Sequence, residues 1–319
     1  MWRALRRQGV LGINRRNACY TLAANDRSLF PLVDDKLETK RLCIEAGIPV
    51  PRLLAEARLH VEARGLPEAL RNVESFVLKP ARGAMGNGIL VIHADGKGGF
   101  LRGERLVSPE DLVYHAAGII SGLYSLAGHH DVALVEECLQ THILLAPLSA
   151  GGVPDVRVIV YRGIPVMAMT RLPTERSGGR ANLHQGAIGA GIDLASGRTL
   201  FAVHKNRSIV RHPDSDQPLV DVPIPEFERV LEIAVRATDR TGLGYIGADM
   251  VVDAVRGPVI LELNARPGLA IQLANRAGLR PRLDAVDRAL GAPDTAWQQA
   301  LPVAERVAMG QAFSSRSAA

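Results

Sequence analysis

The chain has 319 residues, 47% of them hydrophobic and 4% aromatic, and a formal net charge of +5. That length holds two or three lobes and a sizeable core, and the mixed charge is that of a soluble globular protein. So few aromatics exclude a stacking platform for nucleic acid, and three scattered cysteines (Cys19, Cys43, Cys138) exclude a zinc pattern or disulfide framework and fit a reducing, cytoplasmic setting.

Met1–Arg16 carries charge without the apolar stretch of a signal peptide. Its cluster Arg3, Arg6, Arg7, Arg15 and Arg16 reads as a solvated arm. Asp34 or Asp35 offers an N-cap to a helix over Lys36–Ala46, which Gly47 stops. A second helix is expected over Leu66–Asn72. Ser75–Leu78 is a short apolar strand running into Lys79 and Pro80. The glycine-rich stretch Ala81–Gly88 and a strand over Ile89–Ile92 follow, making a hairpin whose tip can approach an anion, because glycine permits close backbone contact and positive φ. No Gly-Lys-Ser/Thr follows, so this is not a Walker A loop. A meander to Phe100 and a helix around Pro109–Leu126 come next.

Val132–Val135 is a strand ending in Glu136 and Glu137. Cys138–Pro154 is uncharged, but His142, Pro147, Gly151 and Gly152 interrupt it, so no membrane span is expected. Val156–Tyr161 and Pro165–Met169, joined by Arg162-Gly163, form a hairpin with a two-residue turn. Arg171–Gly191 reads as a long loop whose donors Arg171, Arg176, Arg180, Asn182 and His184 suit an anionic ligand. Pro225–Thr241 is a helix with Phe227, Val230, Leu231, Ala234 and Val235 on one side. Beyond Arg288 the pattern fades, and Ser314–Ala319 reads as frayed.

The most informative stretch is Gly244–Gly268. Tyr245–Val252 and Val259–Leu263 flank the turn-like Asp253–Pro258 and form a β-hairpin. Glu262 and Asn264, two apart, share one strand face. If Asp253 pairs with Pro258 across a four-residue loop, Asp249 falls opposite Glu262. Two facing carboxylates in apolar surroundings repel, and a hard divalent cation resolves the conflict. Asp, Glu and an Asn carbonyl are oxygen ligands that Mg²⁺ accepts, with nucleotide phosphates completing its shell.

In this order the parts resemble an ATP-grasp carboxylate–amine ligase, most of all the α-L-glutamate ligases. The matching stretches are Asp35-Lys36 with Gly47–Pro51, Val77–Pro80 with the glycine loop, Val135–Glu137, Asp155–Arg157, Arg180–His184, Gly247–Asp249 and Glu262–Gly268. The resemblance implies an α+β ATP-grasp fold: an N-terminal arm at 1–33, a nucleotide-binding lobe at 34–137, a magnesium and substrate lobe at 138–290 and a tail at 291–319. The nucleotide would lie between the antiparallel sheets of the two lobes. Lys36 and Lys79 would contact phosphates and the adenine side, and Glu136, Glu137 and Cys138 the adenine amino group. The loop with Arg82, Gly83, Gly86 and Gly88 would close over the phosphates. Asp249, Glu262 and Asn264 would hold two Mg²⁺, with Mn²⁺ as a substitute. Arg157, Arg171, Arg180, Asn182 and Arg266 would stabilise the transferred phosphoryl group or the acceptor carboxylate.

The implied reaction activates a carboxylate as an acyl phosphate that an amine then displaces, with an amino acid or peptide as acceptor. Relatives carry a full domain before the first lysine, whereas about thirty residues precede Lys36 here. That leaves Asn14–Asn17 or a partner protein to take its place, and a homo-oligomer is a further expectation. Arg266 stands where glutamate ligases carry a small residue. The short N-terminal arrangement is similar also to ATP-grasp proteins associated with sugar transfer, which would attach an acyl or aminoacyl group to a cell-surface saccharide. A nucleotide-binding scaffold is the non-enzymatic alternative.

Overall fold

In the computed structural model, residues 5, 7–83, 86–96, 99–125, 128–291 and 301–316 are described. Arg3 and Arg6 of the basic cluster lie outside them. The chain divides into two compact units, a smaller one of Asp35–Leu37 and Pro51–Leu139 and a larger one made of the remainder. The division falls inside helix α1 (Lys36–Glu45), where the Asp35 side chain accepts from the Leu37 N–H at 2.9 Å.

The smaller unit is a six-stranded antiparallel sheet of β1 (Leu53–Ala57), β2 (Ser75–Pro80), β3 (Leu90–Ala94), β4 (Phe100–Arg102), β5 (Arg105–Val107) and β6 (Ala133–Glu137). Their order is β1-β6-β2-β3-β4-β5. Helix α2 (Pro109–Ile120) begins at a capping box, in which the Ser108 hydroxyl and the Asp111 carboxylate satisfy each other's backbone N–H groups. Its Leu112, Ala116 and Ile119 bury against Phe76, Leu78 and Ile92. Alternation along β2 turns Val77 and Lys79 to the opposite face of this sheet from those core residues.

The larger unit holds a seven-stranded antiparallel sheet, ordered β11-β10-β9-β8-β7-β12-β13. Its strands are β7 (Asp155–Tyr161), β8 (Ile164–Leu172), β9 (Ile188–Ile192), β10 (Thr199–His204), β11 (Arg207–Ile209), β12 (Tyr245–Asp253) and β13 (Gly257–Asn264). Arg162 and Gly163, joining β7 to β8, both have positive φ (49° and 73°), as the twist-matched two-residue turn requires. Helix α3 (Phe227–Thr241) packs Val230, Leu231, Ala234 and Val235 on the face carrying Val156, Val158 and Val160. Leu11 and Tyr20 of the N-terminal segment and Leu283 and Val286 of α4 (Arg280–Leu290) cover Ile159, Tyr161 and Tyr245 on the other face.

Two expectations change here. The N-terminal residues are not a separate solvated arm, since Leu11, Arg16, Tyr20 and Asn25 are all buried in the larger unit. The polar tail contains helix α5 (Val303–Arg316), anchored by Val307 in the core and by a double ion pair from Arg306 to Asp239 of α3. Its apolar positions are too sparse to mark a helix by periodicity alone.

Candidate functional site

In β7 the face shared by Asp155, Arg157, Ile159 and Tyr161 is apolar at one end and charged at the other. The covered end takes Ile159 and Tyr161 into the core. At the charged end, strand register sets Arg157 opposite Asp249 and Arg171 opposite Asp155. Asp249 also lies opposite Glu262. The expected loop length is not how that last pairing arises. Asp253 pairs with Gly257, leaving a three-residue loop that would set Asp249 against Leu261. A bulge between Asp249 and Met250 adds one residue on the β13 side and restores Glu262 to the face of Asp249. The Asp253 carboxylate accepts from the Val255 and Arg256 N–H groups (3.1 and 3.0 Å), which sets the turn.

The carboxylate conflict is met largely by guanidinium groups. Arg157 Nε donates to Asp249 Oδ1 at 2.6 Å, and its Nη2 donates to Oδ2. Arg171 Nη2 reaches the same Oδ2 at 2.8 Å while its Nε holds Asp155 Oδ1 at 2.7 Å. Arg157 and Arg171, expected to face a phosphoryl group or an acceptor carboxylate, therefore spend these donors on Asp249 and Asp155. Burial pushes Asp249 up, but the two guanidinium groups outweigh it and hold its carboxyl well below the usual range. Burial raises Asp155 to about 6 against the pull of Arg171, and Arg171 is itself raised by the paired carboxylates, which outweigh its own desolvation.

Among the described residues there is no group of three or more His, Cys, Asp or Glu placed to hold a metal. The donor set nonetheless fits a hard cation. Glu262 and Asn264 present oxygen from one strand face, next to the Asp249 carboxylate on the paired strand. Asn264 Oδ1 accepts from the Arg266 N–H at 2.8 Å. The Arg266 guanidinium lies over the Phe30 ring and pairs with Asp34 at 3.0 Å, half-exposed.

Arg180 and Asn182 sit apart from these ion pairs. Arg180 is exposed and makes no ion pair among the described residues, and the Asn182 side chain accepts from the His184 N–H. Their segment is more ordered than a long loop. Arg171 and Leu172 belong to β8, Ile188 opens β9, and Thr174 and Ser177 cap one another while the Thr174 hydroxyl donates to the Gly186 carbonyl.

In the smaller unit, Lys79 Nζ lies 2.6 Å from Glu136 Oε2, both nearly buried. Glu136 stands opposite Val77, so alternation puts it on the face of Lys79. Glu137, the next strand residue, points the other way, with Oε1 accepting from the Arg52 N–H. Their side chains therefore point to opposite faces of the sheet. Burial raises the Cys138 thiol.

Lys36 Nζ donates to the Gly83 carbonyl at 2.7 Å, tying the first lysine to the glycine loop. Arg82 Nε pairs with Asp35 at 3.0 Å, and its backbone N–H reaches both oxygens of Asp131. Gly86 and Gly88 have φ of 77° and 75°. A Cβ on Gly88 would stand 2.6 Å from the Tyr124 ring, which stacks against His115, and His115 Nε2 lies 2.9 Å from the Gly88 carbonyl. Ala84 and Met85 of this loop lie outside the described residues. Asp131, His115 and Tyr124 went unnoticed in the sequence, because isolated residues of common type carry no spacing signal.

The family model of sugar-transfer associated ATP-grasp proteins matches residues 15–288. The chain belongs to that family. Its α+β architecture with two antiparallel sheets is the ATP-grasp fold, and the family is the sugar-transfer branch instead of the α-L-glutamate ligases that the motifs first suggest. No curated protein matches. Solved structures similar to this ATP-grasp chain include the ligase PsnB complexed with minimal precursor, Mg and ADP, at TM-score 0.48 and 17% identity, covering 83% of this chain and 61% of that one. The VanG D-Ala:D-Ser ligase from Enterococcus faecalis has TM-score 0.47 and 14% identity, with 89% and 63% covered. D-alanine–D-alanine ligase from Bacillus anthracis has TM-score 0.46 and 13% identity, with 92% and 70% covered. This sugar-transfer ATP-grasp chain thus spans less than two thirds of the length of PsnB and VanG. No helix among the described residues is long and apolar enough to cross a membrane.

Proposed function

We propose that this chain is an ATP-dependent ligase that activates a carboxylate as an acyl phosphate and passes the acyl or aminoacyl group to an amine on a saccharide substrate. The observation that carries the reading is the pairing of Glu262 with Asp249 across β12 and β13, with Asn264 on the same strand face as Glu262. Oxygen donors from Glu262, Asn264 and Asp249 on neighbouring strands suit the magnesium that accompanies a nucleotide's terminal phosphates. The sugar-transfer family supports the acceptor class.

Glu262 would be the principal ligand, Asn264 would add its carbonyl oxygen, and Asp249 would contribute its remaining lone pairs. Magnesium, when bound, supplies charge neutralisation for phosphoryl transfer. Lys36 and Lys79 contact the nucleotide. The Arg82–Gly88 stretch closes over the phosphates and excludes the water that would hydrolyse an acyl phosphate. Arg157 and Arg171 act first on Asp249, holding it ionised and in place. Arg180 and Asn182 lie on the segment that would meet the acceptor, and Arg266, held over Phe30, is the nearest exposed cation to Asn264 along the chain. No covalent enzyme nucleophile is required.

The test is an ADP-release screen of carboxylates against amino sugars, amino acids and peptides, with product masses recorded. Mass gain on an amino sugar supports the saccharide reading, gain on a peptide returns the reading to the peptide ligases, and no ADP release with any pair removes the ligase assignment.

A further inference from the structure

The N-terminal segment brings a further buried guanidinium to the same unit. Arg16 is 6% exposed, and its Nη1 donates to the Pro267 carbonyl at 2.8 Å. Pro267 lies in the loop that follows Glu262 and Asn264 on β13. Arg157, Arg162, Arg171 and Arg306 are each paired with an Asp carboxylate, whereas Arg16, like Arg282 with its donation to the Val166 carbonyl, is buried against a backbone carbonyl. No carboxylate pairs with Arg16 among the described residues. Its Nε is buried without a partner, as are those of Arg282 and Arg306, and burial lowers its pKa, Tyr245 opposing and Arg266 adding to that effect.

The hydroxyl of Tyr245 adds an independent sign. Tyr245 is fully buried, its hydroxyl has no hydrogen-bond partner, and Arg16 is the group that most offsets the effect of burial on it. Arg16 Nε and the Tyr245 hydroxyl can both donate, and the described residues offer neither of these atoms an acceptor. A buried cation costs several kcal/mol unless it is paired, so the missing element is a negatively charged oxygen. On the far side of the loop, the Arg157 guanidinium that clasps Asp249 comes 3.9 Å from where a Cβ on Gly268 would stand.

We propose that Arg16 is a substrate-binding residue whose guanidinium holds an oxyanion, carboxylate or phosphoryl, beside the Ala265–Gly268 loop. In this role the N-terminal segment completes the substrate site of the larger unit. The proposal rests on the ligase reading for its choice of substrate groups, but its test needs no turnover, so a failed ADP screen and a failed Arg16 test are separate results.

The experiment follows thermal unfolding of the full chain against inorganic phosphate and, separately, acetate, for wild type, Arg16→Met, Arg16→Lys and Tyr245→Phe. At least one anion should raise the wild-type Tm in the millimolar range. Arg16→Met should need tenfold or more of that anion for the same gain, while its ligand-free Tm stays level or rises because an unpaired buried charge is gone. Tyr245→Phe should show a smaller loss of response. Loss against phosphate assigns the phosphoryl group, and loss against acetate the carboxylate. Should Arg16→Met not fold, a several-fold weaker response in Arg16→Lys supports the proposal and an unchanged one overturns it. No anion effect on wild type, or an anion response intact in Arg16→Met, would leave Arg16 a mere tether for Pro267 and overturn the inference.

Discussion

Arg157 on β7 and Asp249 on β12 are direct register partners and share two hydrogen bonds, one of 2.6 Å. Asp249 is therefore a structural residue whatever else it binds. Asp249→Asn should cost about 3–5 kcal/mol of stability, because it removes the carboxylate that pairs with buried Arg157 and leaves Arg171 with Asp155 alone. Glu262→Gln should cost less stability than Asp249→Asn and abolish ATP turnover. Urea unfolding and ADP release on the two variants read the difference, and full turnover in folded Glu262→Gln would remove the metal assignment.

Asp155 should give the cluster a pH signature. Its folded pKa, about 6, lies above the ordinary carboxyl value, so the folded state holds the proton more tightly than the unfolded chain. That contribution to stability is complete below about pH 4 and is lost as pH rises through about 6. Asp249 has the opposite sign, and its contribution disappears only in stronger acid. Urea unfolding at half-unit steps should therefore show the stability advantage of wild type over Asp155→Asn declining between pH 4 and 6. A flat difference would mean that Arg171 keeps Asp155 ionised throughout.

Lys79 and Glu136 form the corresponding buried pair of the smaller unit, 2.6 Å apart. Lys79→Ala alone should destabilise the smaller unit by removing the cation 2.6 Å from buried Glu136, which would obscure any nucleotide effect. The double variant Lys79→Met/Glu136→Gln should recover most of that loss. Its ATP-induced Tm shift then isolates the part of Lys79 in nucleotide binding, and a shift equal to wild type would remove Lys79 from the nucleotide contacts.

Gly88→Ala should lower stability by about 1–3 kcal/mol, since φ is 75° and the new methyl meets the Tyr124 ring. The double variant Gly88→Ala/Tyr124→Ala relieves the contact but not the backbone strain, so it should recover only part of the ATP-induced Tm shift. Recovery in full would show the contact to be the whole effect.

Sequence periodicity marked the two hairpins that build the charged face and the helix behind them. Val156–Tyr161, Arg162-Gly163 and Tyr245–Leu263 carry their own apolar runs and turn chemistry, and Glu262 and Asn264, two apart, share a strand face. Local patterns also suggested that Asp249 meets Glu262, although through a loop one residue too long. The β13 bulge that restores this pairing has no mark of its own, because the extra residue, Leu261, looks like any other strand residue.

Alternation and turn preference act over a few neighbouring residues, so the strands, their turns and the residues that share a face could be read along the chain. Only the folded sheets settled that Arg157 clasps Asp249, 92 residues away, that Arg16 is buried without an anion, and that α5 docks on α3. Those contacts depend on β7 lying between β8 and β12 and on which faces remain for the chain ends to cover. Strand order is fixed by burial over the whole sheet, which no short stretch of sequence records.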